Sequence, residues 1–281
     1  MNLADRIAAA LDEDLGPGDL TTEACIDAAA MGKGTLIAKQ RVVVSGHAAA
    51  KAAFEEAARR YGAFLVYQAQ VPDGSVVAPG TALATVNGSL RAILVGERLA
   101  LNLLMRMCGI ASHVRRTLQD VPHTTFRAVD TRKTTPLWRD LEKAAVRDGG
   151  GHNHRFGLFD GVLIKDNHIA AVGGIGPAVE RVRSRVHHLV RVQVEVGDQA
   201  ELAEALDAGA DGVLLDNMDD AAIAACLDLV RTRWPEAFVE ASGNMDAGRL
   251  ASLAEVGLDV VSVGGFVHQA TWADLSLRVA S

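Results

Sequence analysis

The sequence predicts a compact α+β domain followed by an α/β barrel of fewer than eight strands. Three observations carry this. Short β-rich runs begin near Phe126, Gly161, Val190, Gly212, Ala237 and Asp259, each followed by helix-forming sequence, the βα repeat of a parallel sheet. The run VRVQVEV sets Val190, Val192, Val194 and Val196 against Arg191, Gln193 and Glu195. An open doubly wound sheet buries both faces, whereas a barrel turns one face toward a lumen that can hold polar groups. Polar residues also gather at the C-terminal ends of the predicted strands: DTRKTT at 130–135, LIKDNH at 163–168, LLDN at 214–217, EASGN at 240–244 and SVGG at 262–265. That is the face where barrels keep their active sites.

The elements before the repeat follow from local signals. A short helix starts at about Leu3 and a Gly16-Pro17-Gly18 loop follows it. A β-rich stretch spans Thr35 to Ser45, and an Ala-rich helix ends at Gly62. Phe64 to Val71 and VVAPGTALATVNG, with its Pro-Gly turn, alternate as a small sheet does. From Ala92 to about Thr117 a long helix is apolar over most of its circumference, which suits a buried junction. The expected division is a domain over 1–112 and a barrel over 113–281, whose last residues pack back on the first domain.

The chain has 281 residues, 49% hydrophobic and 22% charged, which excludes disorder and collagen-like repetition. Its 28 Lys and Arg against 35 Asp and Glu give a net charge of −7, so no global basic field recruits nucleic acid or anionic membrane. No run reaches the ~18 apolar residues of a membrane span, and the acidic N-terminus does not fit a secretory signal. Cys25, Cys108 and Cys226 form neither a CxxC pair nor a disulfide framework, which points to a reducing cytoplasm.

Against that acidic background, residues 126–168 hold eight Lys and Arg, six Asp and Glu and three His. Within this basic island Thr131, Arg132 and Lys133 precede Thr135-Pro136, which reads as a helix N-cap followed by proline at the first helical position. An arginine fork, a lysine point charge and a positive helix end suit a carboxylate or phosphate; a solvated charged loop is the bland alternative. GGGHNHR at 149–155 brings His154 and Arg155 after three glycines, as a phosphate cradle or as a plain helix end. The His152-Asn153-His154 triplet with Lys165, His168 and Asp216 also admits a two-metal hydrolase, although the adjacent arginine opposes a dication. Lys165 stands at a predicted strand end where burial demands an acid or an anionic ligand, Asp160 or Asp166 being its plain structural partners. Glu195 and Asp216 end separate strands, where lumen-facing carboxylates bind a metal, a sugar hydroxyl or a developing cation. Ser242-Gly243-Asn244 and Val263-Gly264-Gly265 follow the last two strands, a place where barrels bind phosphate through backbone amides.

These segments, in the order EDLGPGDLTT, ERLALNLLMRMCGIAS, DTRKTTP, LEKAAVRDGGGHNHRFGLFDGVLIKDNH, VEV, LLDNM and EASG, resemble the quinolinate phosphoribosyltransferase family over nearly the whole chain. The resemblance implies an N-terminal α/β sandwich joined to an incomplete α/β barrel, assembled as a homodimer or higher homo-oligomer. It implies phosphoribosyl transfer from phosphoribosyl pyrophosphate to quinolinate with Mg²⁺ present, then decarboxylation. By motif, Arg132, His154 and Arg155 line the dicarboxylate site beside Thr131, while Lys133 and Lys165 lie near both substrates. Glu195 and Asp216 face the ribose and its metal, and the Ser242 and Gly264 loops hold the 5-phosphate. Arg98 matches an arginine that reaches the neighbouring subunit's site. The sequence departs from the family at Leu137-Trp138, where glycine is usual after TTP, at Gln193 for an acid, at Cys108 for serine, at Asn244 for the second glycine of SGG, and at 266–269, which lacks the usual hydroxyls. A transferase for a pyridine monocarboxylate and a non-catalytic phosphate or nucleotide sensor are the competing readings.

Overall fold

Asn2 and Asp5 form a reciprocal capping box that starts α1 (Leu3–Leu15), and Asp19 caps the shorter α2 (Leu20–Cys25) through the Thr22 N–H. The chain then forms β1 (Met31–Ala38), β2 (Val42–Val43), α3 (His47–Arg60), β3 (Leu65–Ala69), β4 (Val76–Val77), β5 (Ala82–Ser89) and α4 (Leu90–Leu118). Strand β5 pairs antiparallel with both β1 and β3, while β2 and β4 form a separate antiparallel pair. Phe54 of α3 is fully buried in a core with Leu36, Leu83, Ile93 and Leu104. The approach of α3 to α4 requires glycine at position 96, because a Cβ there would lie 2.8 Å from the Phe54 ring.

The computed structural model describes residues 1–121 and 126–280. Its two compact units interleave along the chain: Met1–Arg115, Thr135–Gly150 and Gln269–Ser281 make one, and Arg116–Thr134 with Gly151–His268 the other. Strand β6 (Arg127–Val129) opens the parallel sheet of the second unit, and α5 (Arg139–Asp148) belongs to the first. The repeat then runs β7 (Val162–Ile164), α6 (Asp166–Val172), α7 (Ile175–Arg183), β8 (Val192–Val196), α8 (Gln199–Asp207), β9 (Gly212–Asp216), α9 (Asp220–Arg233), β10 (Phe238–Ser242), α10 (Ala247–Ser252), β11 (Val260–Ser262) and α11 (Gly265–His268). Asp198, Asp219 and Asp246 cap α8, α9 and α10, so these three return helices begin at an aspartate side chain.

Among the described residues the sheet order is β6-β11-β10-β9-β8-β7, every pair parallel, which leaves β6 and β7 as the two edges of an incomplete α/β barrel. His152 makes an isolated parallel bridge to Val129 on the β6 edge. Three residues on, Arg155 Nη1 donates to the Gly161 carbonyl, 2.6 Å away and just before β7. Loop 152–161 therefore ties one edge to the other. The last strand, β12 (Leu275–Ala280), pairs antiparallel with β1 and completes the order β12-β1-β5-β3 in the first unit.

The structure corrects the helix start expected at Thr135-Pro136. Helix α5 begins at Arg139, with Trp138 at the cap position and no side-chain cap. Thr135 is spent elsewhere: its N–H and hydroxyl donate to the Glu142 carboxylate at 2.7 and 2.8 Å. Leu137 takes φ +67°, a left-handed conformation that interrupts a helix and costs a leucine about 1–2 kcal/mol. Glycine would adopt it freely. Arg6 fastens the start of α5 instead, donating to both Asp140 oxygens at 2.6 and 2.5 Å and stacking 5.1 Å from the Trp138 ring.

Candidate active site

Register builds the site. In parallel pairing Ile164 stands opposite Val194, so the next residues, Lys165 and Glu195, emerge side by side. Lys165 Nζ donates to Glu195 Oε2. This corrects the expectation of Asp160 or Asp166 as partner: Asp160 accepts the Phe156 and Gly157 N–H groups. The lysine is also less buried than its strand end suggested, with 44% of its side chain exposed against 15% for Glu195. Across β9 and β10, Asp216 pairs with Ser242, and the Asn217 N–H donates to the Ser242 carbonyl at 3.0 Å. Asn217 Nδ2 donates to Asp216 Oδ2 at 2.8 Å, leaving the partly exposed carboxylate directed by its neighbour.

The two glycine loops lie at the same strand ends. Gly243 has φ +104°, and a Cβ on it would fall 2.2 Å from Asn217 Oδ1, so only glycine fits. Asn244 follows at φ +48°, a left-handed position that asparagine tolerates. At the other loop a Cβ on Gly264 would lie 3.1 Å from Lys133 Cδ and 3.5 Å from its Nζ, so the lysine side chain passes over this glycine. Val263 is buried beneath it and its N–H donates to the Val129 carbonyl at 2.8 Å, while Gly265 begins α11. The Lys133 N–H donates to Thr131 Oγ1 at 3.1 Å, folding the DTRK loop on itself, and Arg132 is exposed.

Beneath that loop, Asp130 is completely buried. Its carboxylate accepts the His154 N–H at 2.9 Å and Asn153 Nδ2 at 2.7 Å. The His154 ring accepts the Arg155 N–H at Nδ1, 2.7 Å away, and turns Nε2 toward Glu240 Oε2 at 3.3 Å. Burial lowers the Arg155 pKa, and repulsion from Arg132 lowers it further. The Asp160 and Glu240 carboxylates act in the opposite direction. His154, Arg155, Gln193 and Glu240 line a cavity of about 350 Å³ that also takes in Arg127, Phe238 and Val260, the first residues of β6, β10 and β11.

The second unit therefore carries Thr131, Arg132, Lys133, His154, Arg155, Lys165, Glu195, Asp216, Ser242, Gly243, Asn244, Val263, Gly264 and Gly265. Arg98 belongs to the first unit, exposed on α4. In the GGG run Gly149 ends α5, where a Cβ would lie 2.6 Å from the Ala111 carbonyl oxygen, and Gly150 takes φ +99°. No three His, Cys, Asp or Glu side chains among the described residues gather as a metal cage, so the donor set of a two-metal hydrolase is not assembled. Sequence reasoning passed over Asp130 and Glu240, whose inward carboxylates become visible only through register and burial.

A parallel α/β sheet that gathers lysines, arginines, two carboxylates and glycine loops at its C-terminal strand ends defines a barrel protein built around a polyanionic small-molecule site. Residues 19–108 match the model of the quinolinate phosphoribosyl transferase N-terminal domain and residues 110–278 that of the C-terminal domain. The chain belongs to the quinolinate phosphoribosyltransferase family. It is 36% identical to a probable nicotinate-nucleotide pyrophosphorylase [carboxylating] of Synechocystis, over 96% of this chain and 90% of that one. Identity is also 36% to the enzyme of that name from Mycobacterium leprae, over 97% of this chain and 95% of the other. The solved structure of NadC from Streptococcus pyogenes superposes with TM-score 0.91 at 35% identity, covering 99% of this chain and 96% of that chain.

Proposed function

We propose that this protein transfers the phosphoribosyl group of phosphoribosyl pyrophosphate to the ring nitrogen of quinolinate and that the carboxylate beside that nitrogen is then lost. The products are nicotinate mononucleotide, pyrophosphate and carbon dioxide; the relatives are named for the reverse, carboxylating direction. The observation that carries this is the placement of Lys133 over the Gly264 loop and of Lys165 beside Glu195 at the strand ends, with Arg132 and Arg155 in the same unit. Such a concentration of cations is stabilised by a ligand bearing several negative charges, as a dicarboxylate and a pyrophosphate sugar together do.

In this reading Thr131, Arg132, His154 and Arg155 orient the dicarboxylate, and the Ser242–Asn244 and Val263–Gly265 loops hold the 5-phosphate. Lys133 and Lys165 offset the repulsion between the two anionic substrates and stabilise the departing pyrophosphate. As the bond to pyrophosphate breaks, the ribose gains oxocarbenium-like charge, and Glu195 and Asp216 stabilise it electrostatically. The ring nitrogen supplies the electron pair for the new bond and becomes cationic. When the neighbouring C–C bond to the carboxylate breaks, the released pair stays on that ring carbon, stabilised by the adjacent cationic nitrogen, and the carbon then takes a proton from water, so the protein needs no separate electron sink. Glu195 and Asp216 fit the one or two carboxylates with which a protein holds Mg²⁺ among phosphate oxygens and water. When bound there, Mg²⁺ supplies charge neutralisation at the pyrophosphate.

The monocarboxylate alternative shares the fold, since human nicotinic acid phosphoribosyltransferase superposes with TM-score 0.65 at 14% identity. The second arginine favours the dicarboxylate. Turnover of the purified protein with quinolinate, phosphoribosyl pyrophosphate and Mg²⁺ is expected to release equimolar nicotinate mononucleotide and carbon dioxide, and nicotinate in parallel to give no product. Product from nicotinate alone would transfer the assignment to the monocarboxylate, and silence with both would favour a sensor. Three free cysteines support a reducing cytoplasm, and among the described residues no helix is long and apolar enough to cross a membrane.

The family resemblance supports a homo-oligomer in which Arg98 completes the site of a neighbouring copy. Arg98→Ala and Arg132→Ala are each expected to be inactive and folded. Mixed dimers should regain about a quarter to a half of the activity per site pair, because one of the two sites then carries both arginines. No regain in verified mixed dimers removes the sharing.

A further inference from the structure

Glu240 is 2% exposed, in the middle of β10, and no step of the proposed reaction uses it. Its position follows from the sheet: Glu240 stands opposite Leu214, which in turn stands opposite Glu195, so it shares the inner face of the barrel with the catalytic carboxylate. Its Oε2 accepts Gln193 Nε2 at 2.8 Å and lies 3.3 Å from His154 Nε2. Burial alone would raise its pKa, yet the hydrogen bonds from His154 and the Gln193 amide hold it below the usual carboxylate range. Its Oε1 is sealed from solvent with no hydrogen-bond partner.

A buried carboxylate with one oxygen unsatisfied is a poor way to stabilise a barrel, since an apolar residue of similar volume would avoid the desolvation penalty. The reason for its presence is in the geometry around His154. A ring nitrogen that accepts a hydrogen bond carries no proton, so the Arg155 N–H at Nδ1 places the proton of the neutral ring on Nε2, toward Glu240. The order of donation is then Arg155 N–H to His154 Nδ1, and His154 Nε2–H to Glu240 Oε2, with Gln193 steadying the acceptor. The Arg155 side chain completes the clamp through its bond to the Gly161 carbonyl.

We propose that Glu240 is a positioning residue for dicarboxylate recognition: its carboxylate fixes the tautomer and plane of the His154 ring, and through that ring the backbone and guanidinium of Arg155. Asp130 holds the same loop by its backbone, at the His154 N–H, whereas Glu240 holds the ring. The inference rests on the dicarboxylate reading of Arg132 and Arg155, and it assigns a role to a residue outside the set that touches substrate.

Glu240→Gln keeps the shape and one acceptor while removing the charge. It is expected to raise the KM for quinolinate about tenfold, the size of one charge-assisted hydrogen bond, with kcat and the KM for phosphoribosyl pyrophosphate within about twofold. In a His154→Ala background the same change should add nothing, because the coupling runs through the ring. Imidazole ¹⁵N spectra of the intact protein should show His154 as the Nε2–H tautomer in the wild type and as a tautomer mixture in Glu240→Gln. Full additivity of the two substitutions, an equal loss in kcat for a folded variant, or an unaltered tautomer would each overturn the proposal. The spectra need no turnover, so a wild-type protein inert toward quinolinate would refute the dicarboxylate reading while the His154 spectra still decide the clamp. If Glu240→Gln does not fold, Gln193→Leu, which withdraws the second donor to the same oxygen, is expected to shift the KM for quinolinate in the same direction, and an unchanged KM counts against the clamp.

Discussion

Lys165→Ala is expected to lower kcat roughly a thousandfold, the upper end of what one electrostatic donor at a reacting centre supplies, while the fold survives. The contrast arises because the two properties depend on different features of the same side chain. Its ammonium pairs with Glu195 but is 44% exposed, and partly exposed pairs contribute about 0–1 kcal/mol to stability. For a protein of this size that corresponds to a melting temperature within about 4 °C of the wild type. Register brings the same ammonium beside Glu195, and in the proposed reaction it faces the departing pyrophosphate while positive charge grows on the ribose. Removing it strands the Glu195 charge against an incoming polyanion. Lys165→Arg should recover little, since a planar fork does not replace a point charge at this spacing. A folded Lys165→Ala protein that kept more than a tenth of the wild-type kcat would place the lysine outside the reacting centre.

Lys165 and Glu195 are each legible in the sequence as strand-end residues, but their pairing is not. A lysine after Val162-Leu163-Ile164 announces a strand end, and the six strand starts read from β-rich runs agree with the observed strands to within about two residues. Local pattern stops there. Glu195 lies thirty residues away, and only the pairing of Ile164 with Val194 makes the two neighbours. Glu240 was hidden for a related reason: within EASGN it reads as the approach to a glycine loop, and its inward direction depends on the strands either side. The alternation of Gln193 and Glu195 did reveal a polar inner face, and the Gln193 bond to Glu240 lies on it. Thr135-Pro136 misled because a helix cap is a local rule. Here Glu142, seven residues on and buried, competes successfully for the threonine, and the left-handed Leu137 prevents the helix from starting early.

Gly109→Ala is expected to destabilise the protein by about 3 kcal/mol, a fall of roughly 6–12 °C in melting temperature. Helix propensity alone argues the opposite. Gly109 sits inside α4, where alanine is favoured over glycine by about 1 kcal/mol, so the sequence rule expects a gain. The structure decides the sign. A Cβ at position 109 would lie 2.1 Å from the Thr271 carbonyl oxygen and 3.1 Å from the Trp272 Cα, both of them backbone. That segment has little freedom to retreat: the Ala273 N–H donates to the Met105 carbonyl at 2.9 Å, and Arg106 Nη1 donates to the Ala270 carbonyl at 3.1 Å. Immediately beyond, Leu275 is already paired with Ala38 in the β12–β1 ladder. Relief would have to break one of these bonds or bend α4, and either costs more than the propensity returns. Thermal or denaturant unfolding of the single variant measures the difference directly. A melting temperature equal to or above the wild type would mean that the 270–273 segment yields, and that the glycine is not what allows the returning chain to lie against the long helix.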